Sequence, residues 1–180
     1  SPLGLVTGHI DARLSADDPS LRGEGRIRWN GRRLRAHEVS GALALSRLPV
    51  ESNGLLDPDA TVFVRLSELD LDLDGMECRA AAGQVSTAAL TGLGRSYGVE
   101  APRLEGELTC RDGALVLTAA GETGDMRIEG EIVFGATGHD WTVFATSPHA
   151  AVREAFGLAG LAREGDVWHG SGHESLDASR

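Results

Sequence analysis

The chain of 180 residues carries 27 acidic and 17 basic side chains, giving a net charge of −10, and 41% of its residues are apolar. This length and apolar content are typical of one globular domain, whereas the negative charge argues against a general nucleic-acid binder. Every basic residue is arginine, so chemistry that needs a lysine, such as Schiff-base formation or a Walker-type phosphate loop, is excluded.

Period-two alternation, broken by glycines and turn pairs, predicts many short strands and therefore an all-β fold. We expect a strongly twisted antiparallel sheet that can curl into a half-open groove. Residues 1–170 are predicted to form a single domain, because no Pro- or Ser-rich linker divides them. The strands are predicted at about 5–14, 26–29, 32–35, 37–46, 59–74, 103–110, 113–120, 126–134 and 139–146.

A hairpin is predicted at residues 26–35, where Asn30-Gly31 suits a type I′ turn. This turn would place Ile27 opposite Leu34 and Trp29 opposite Arg32. The hairpin arginines either line a solvated strand face and pair with carboxylates, or form a docking surface for an acidic partner or anionic lipid headgroups. The candidate docking residues are Arg26, Arg28, Trp29, Arg32, Arg33 and Arg35.

Apolar residues change phase within the strand predicted at 59–74, which indicates a bulge near Ser67-Glu68. The Asp70-Leu71-Asp72-Leu73-Asp74-Gly75 segment resembles the start of a calcium loop. The twelfth position of such a loop, Ala81, lacks the required glutamate. Leucines between the aspartates favour a strand with one wet carboxylate face.

The two cysteines, Cys78 and Cys110, either form one disulfide bond or remain buried free thiols, depending on the redox compartment. Beyond them, Asp112-Gly113 predicts a tight hairpin. The segments Leu104–Leu108 and Ile128–Ile132 are similar, which suggests related strands with a glycine at a bend or close approach.

Ser147-Pro148 predicts an N-cap followed by one short amphipathic helix near 148–159. The polar, glycine-rich residues 171–180 are predicted to be a flexible tail. His169, just before this region, and His173, within it, are separated by glycines that forbid the rigid helical geometry by which spaced histidines usually hold zinc. No nucleophile elbow, Cys-x-x-Cys pair or phosphate loop is present, so we expect no enzyme, metal, cofactor or small-molecule substrate.

The segment from Cys78 to Leu90 and the segment from Pro102 to Leu117 resemble the type II secretion system protein N family. Both contain a cysteine, and the second has the pattern Pro-x-Leu-x-Gly-x-Leu-x-Cys-x-Asp-Gly. The helix end at 155–158 and the turn at 164–166 are also similar to the family pattern. The resemblance covers roughly residues 75–170 and extends loosely to Gly25–Trp29 and Val39–Leu43.

This resemblance implies the periplasmic domain of a bacterial inner-membrane protein whose N-terminal anchor is absent from this chain. It implies a non-catalytic role, with other type II secretion components as partners, in the machinery that exports folded proteins across the outer membrane. An oxidising periplasm would favour a Cys78–Cys110 disulfide. A more distant similarity to the AsmA and TamB group implies the alternative of a groove that binds or transfers lipid.

Overall fold

The computed structural model describes residues 10–18, 21–47 and 56–175. Eleven strands form a single antiparallel sheet, which confirms the predicted all-β class. Alternating apolar residues and short glycine-containing turns explain why the chain forms strands here. The strands are β1 (Ile10–Asp18), β2 (Leu21–Trp29), β3 (Arg33–Ala44), β4 (Thr61–Asp72), β5 (Glu77–Thr87), β6 (Leu104–Arg111), β7 (Ala114–Glu122), β8 (Arg127–Phe134), β9 (Gly138–Thr146), β10 (Ala162–Glu164) and β11 (Val167–Ser175).

The strands form an up-and-down meander from β1 to β9, and the order changes only at the end of the chain. Strand β11 pairs with β9, and the short β10 pairs with the opposite edge of β11. No described strand joins β1 to β10, so the sheet is open. The two outermost strands of this sheet therefore offer backbone groups at its edges.

Two helices accompany the sheet, α1 (Thr91–Tyr97) and α2 (Ala150–Leu158). Helix α2 confirms the predicted helix near 148–159, although it begins at Ala150 with His149 as the N-cap. Ser147 is not the N-cap because its hydroxyl donates to the Asp125 carbonyl and accepts from the His149 amide. Within the described ranges, no helix is long and apolar enough to cross a lipid bilayer.

Helix α1 was not predicted, because Gly92 and Gly94 lower its helix propensity. Packing explains why it forms. Leu93 is buried in the core, and a Cβ atom at Gly94 would lie only 2.8 Å from the Val99 carbonyl oxygen. The close approach of the following loop therefore requires glycine at this position of the helix.

Residues alternate along the strands between an apolar face and a polar face of the sheet. Helices α1 and α2 cover one end of the apolar face, where the side chains of Val152 and Phe156 are fully buried. A second apolar cluster at the other end includes Leu69, Leu71 and Cys78. The core is thus divided between the two ends of the strands.

The predicted bulge in β4 is confirmed, since the register with β5 shifts between Leu66 and Glu68. The extra residue returns Leu69 to the same apolar face as Val62. The Asp112-Gly113 hairpin is also confirmed, because both residues have the positive φ angles that a type I′ turn requires.

Candidate docking surfaces

The predicted arginine hairpin exists, but its register differs from the prediction. Trp29 pairs with Leu34 and Ile27 with Ala36, so Trp29 does not face Arg32. The Asn30 side chain explains the shift, because its Oδ1 atom accepts hydrogen bonds from the Arg32 and Arg33 amides. Gly31, at φ 84°, therefore forms the turn together with Arg32.

Asp70 of β4 binds two of the hairpin arginines. Arg33 donates from Nε and Nη2 to the two Asp70 carboxylate oxygens at 2.5 Å each, and Arg35 Nε donates at 3.2 Å. The hydrogen bonds from Arg33 lower the pKa of the Asp70 carboxyl below its ordinary value. Asp70 lies on a strand as predicted, but its side chain is only 14% exposed, so the carboxylate faces arginines rather than water.

Asp72, two residues further along β4, also forms ion pairs with arginines. Burial alone would raise the pKa of Asp72, but hydrogen bonds from Arg32 and the Asp74 amide outweigh it and lower that pKa. Arg79 of β5 also contacts Asp72, at 3.4 Å. Asp74 also pairs with Arg32, at 3.1 Å, so all three aspartates of the calcium-like segment form ion pairs with arginines.

The structure does not bring all six candidate docking residues to one surface. Arg33, Arg35 and Arg32 form ion pairs with aspartates of the same chain. Trp29, 41% exposed, belongs to the apolar side of β2, whereas Arg26 and Arg28 alternate to the polar side. Most of the positive charge of the hairpin is consequently neutralised within the domain.

Cys78 and Cys110 are joined by a disulfide bond, with their Cα atoms 5.5 Å apart. The β5–β6 ladder ends at the Ala82–Thr109 pair, so the bond lies beyond it. At this point β5 leaves β6, and the Cys78 amide donates to the Gly113 carbonyl in the next turn. The disulfide therefore holds together two strands that have begun to separate.

Strand β11 presents a largely unpaired edge at one side of the sheet in the described ranges, and β1 forms the opposite edge. Its inner edge pairs with β9 from Trp168 to Ser175, while β10 covers its outer edge only from Val167 to His169. Residues 170–175 have no described strand on their outer side. They contain no lysine, arginine or proline, and Glu174 is the one acidic residue among them; charged residues and proline commonly block pairing at sheet edges.

The first five residues of the predicted flexible tail, 171–175, belong to β11, while 176–180 lie outside the described residues. The glycines form the strand because Trp141 of β9 packs over them. A Cβ atom at Gly172 would lie 2.8 Å from the Trp141 ring. The alternation of Trp168, Gly170 and Gly172 with polar residues was the signal for this strand.

Two histidines fasten β11 to β9 by their side chains. His173 Nδ1 lies 2.9 Å from Asp140 Oδ1, and His139 Nε2 lies 3.4 Å from Glu174 Oε2. Neither pair is part of a larger cluster, because the described residues contain no group of three or more potential metal ligands. His169 and His173, the two histidines of the glycine-rich segment, both lie on strand β11.

Comparison with known proteins identifies one family. The sequence model of type II secretion system (T2SS), protein N, matches residues 1–171 of the chain. No curated protein sequence matches, and no solved structure matches.

Proposed function

Since the chain belongs to the type II secretion system protein N family, we propose that it is a non-catalytic component that supports assembly or function of the export machinery. The observation that carries this proposal is the outer edge of β11, which β10 covers over only three residues. An exposed edge accepts a strand from a partner by β-augmentation. Other secretion components are the proposed partners.

The proposed location is the periplasmic side of the bacterial inner membrane. The Cys78–Cys110 disulfide supports this location, because such bonds persist in oxidising compartments and are rare in the cytosol. Membership of a secretion family is consistent with the same compartment.

The hairpin remains a second proposed docking surface, although three of its arginines are used in ion pairs within the chain. Trp29 is 41% exposed, and exposed aromatic side chains are enriched at protein interfaces. Arg26 is exposed and forms no ion pair with any residue that the structure describes. Arg26 is therefore available to an acidic partner on the polar side of the hairpin, while Trp29 offers a separate apolar contact on the opposite side.

Site-specific photo-crosslinking in the native cell envelope tests the proposal. A crosslinking residue at Ser171, exposed on β11, should capture secretion components. The same residue at Glu154, exposed on α2, serves as the matched control. Equal capture at both positions, or no secretion component at Ser171, would oppose docking at the edge.

Lipid binding is the second candidate function, and one feature of the apolar face favours it. Five large apolar side chains lie in one register row across β4 to β9, which is interrupted only by Gly83 on β5, and each of the five remains partly exposed. They are Leu66, Leu108, Leu117, Ile132 and Trp141. Native mass spectrometry after mild purification should show retained lipid under this alternative, and a clean apo mass would oppose it.

A further inference from the structure

A groove of about 870 Å³ crosses the polar face of the sheet and runs from β3 to β9. Its floor is the backbone of one residue per strand, and the central three, Gly106, Ala119 and Gly130, are small and lie side by side in register. Its two walls are the side chains that flank this row on each strand. The groove therefore runs perpendicular to the strands.

The two segments that are similar in sequence, Leu104–Leu108 and Ile128–Ile132, form the central part of this groove. Gly106 lies in register with Gly130 across Ala119, so the Glu-Gly-Glu motifs of β6 and β8 are aligned. Glu105 and Glu129 belong to one wall. Glu107 and Glu131 belong to the other.

Two of these four glutamates are neutralised by the domain itself. Arg111 donates to Glu131 through both terminal nitrogens, at 2.8 and 2.6 Å, and Arg127 binds Glu129. In contrast, Glu105 and Glu107 are exposed and form no ion pair with any described residue. The centre of the groove thus has uncompensated negative charge.

The β4 end of the groove is basic and aromatic rather than acidic. Arg65 contributes to the wall there, and Arg103 lies 5.7 Å from the centre of the Phe63 ring. Phe63 and Phe144, on β4 and β9, are 47% and 48% exposed. These two rings belong to the same wall. Five strand spacings separate their strands, which corresponds to a distance of about 24 Å.

The width and length of the groove fit an extended peptide better than a helix. The two walls rise from residues two positions apart on each strand, a separation of about 7 Å. An α-helix, about 10 Å across, is too wide for that space. Six strand spacings of about 4.8 Å give a length that an extended peptide spans with roughly nine residues.

From these features we infer that the groove binds an extended, arginine- or lysine-containing segment of a partner protein. Basic side chains of the segment pair with Glu105 and Glu107, and apolar side chains at its ends contact Phe63 and Phe144. This surface is separate from the β11 edge, so its occupancy does not depend on strand addition there.

The probe is a fluorescently labelled nine-residue peptide with arginine at alternate central positions and leucine at both ends. Fluorescence anisotropy at low salt should show saturable binding, which weakens as salt screens the exposed charges. The variant Glu105→Gln/Glu107→Gln should bind about fivefold to tenfold more weakly, because two exposed ion pairs are lost. Ala120→Trp, on the exposed wall of β7, should abolish binding by filling the groove.

The matched control is Glu154→Gln/Glu164→Gln, which removes the same charge at exposed positions outside the groove. It should retain wild-type affinity, and circular dichroism should confirm that each variant is folded. If Ala120→Trp fails to fold, Thr118→Trp replaces it. The inference is overturned if the wild-type domain does not bind, if both double variants bind equally weakly, if the tryptophan variant retains affinity, or if a neutral oligosaccharide displaces the peptide.

Discussion

Arg33 and Asp70 form a two-pronged ion pair between neighbouring strands, with both nitrogen–oxygen distances at 2.5 Å. The sequence suggests the hairpin arginines as a docking surface, but this contact and its neighbours use three of them in ion pairs within the chain. This pairing also accounts for the Asp-Leu-Asp-Leu-Asp pattern, whose three carboxylates pair with arginines of the hairpin while the leucines pack in the core. The electrostatic contribution of this pair should depend on pH.

Replacing Asp70 by asparagine should reduce the loss of stability in acid. The folded chain holds the pKa of Asp70 below its ordinary value of 3.8. The carboxylate therefore contributes stability above that value, and the contribution is lost as the pH falls through the lowered pKa. Chemical denaturation between pH 2 and 6 should show a shallower acid slope for Asp70→Asn than for the wild type.

The control for this pH series is Asp166→Asn, because the Asp166 side chain is fully exposed. It should keep the slope of the wild type. Identical slopes for Asp70→Asn and the wild type would show that the Arg33–Asp70 pair has no such role.

Removing the disulfide should destabilise the domain substantially. The bond closes a loop of 32 residues, for which the chain-entropy model gives about 3 to 4 kcal/mol. Urea denaturation of Cys78→Ala/Cys110→Ala should report a loss of that size. Reducing agent should destabilise the wild type but leave the variant unchanged, and two reactive thiols in unreduced, denatured protein would contradict the bond.

The aligned glycines of β6 and β8 should respond very differently to alanine. A Cβ atom at Gly106 would lie 2.2 Å from the Thr118 carbonyl oxygen, whereas at Gly130 the nearest atom is 3.5 Å away. We expect Gly106→Ala to cost about 1 to 3 kcal/mol through overpacking. Gly130→Ala should change stability by less than about 1 kcal/mol, and equal effects in thermal unfolding would refute the close approach.

Phe156 should be critical for the attachment of α2 to the sheet. Its ring is fully buried and makes an edge contact with Trp168 at the start of β11. Phe156→Ala should lower the free energy of unfolding by about 3 to 5 kcal/mol. Leu158→Ala is the matched control, since Leu158 is 86% exposed on the same helix, and a similar loss in both variants would argue against this packing.

The sequence predicted features that depend on local chemistry. Alternation indicated most of the strands, although not β5, β10 or β11. Asp112-Gly113 indicated its hairpin, and the phase change indicated the bulge at Ser67. The prediction failed where a distant contact decides the outcome. The alternation in β11 is a weak signal because its glycines favour a loop, and the packing of Trp141 over them, which allows the strand, is not visible in that segment.

The docking surfaces were harder to predict for the same reason. Six hairpin residues appeared available in sequence, but Asp70 and Asp72, roughly forty positions away, bind three of the arginines. Conversely, the Glu-Gly-Glu similarity was visible in the sequence. Its alignment into one groove depends on the register of β7 between the two segments.

The most direct test of the central claim, docking through the β11 edge, is secretion by cells that carry Ser171→Lys in the otherwise native protein. Lysine on an edge strand disfavours strand addition. Ala82→Lys is the control, because Ala82 is exposed on the polar face of the interior strand β5. With both proteins present at wild-type levels, Ser171→Lys should reduce secretion and partner crosslinking while Ala82→Lys does not. Wild-type secretion and crosslinking by Ser171→Lys would contradict docking at this edge.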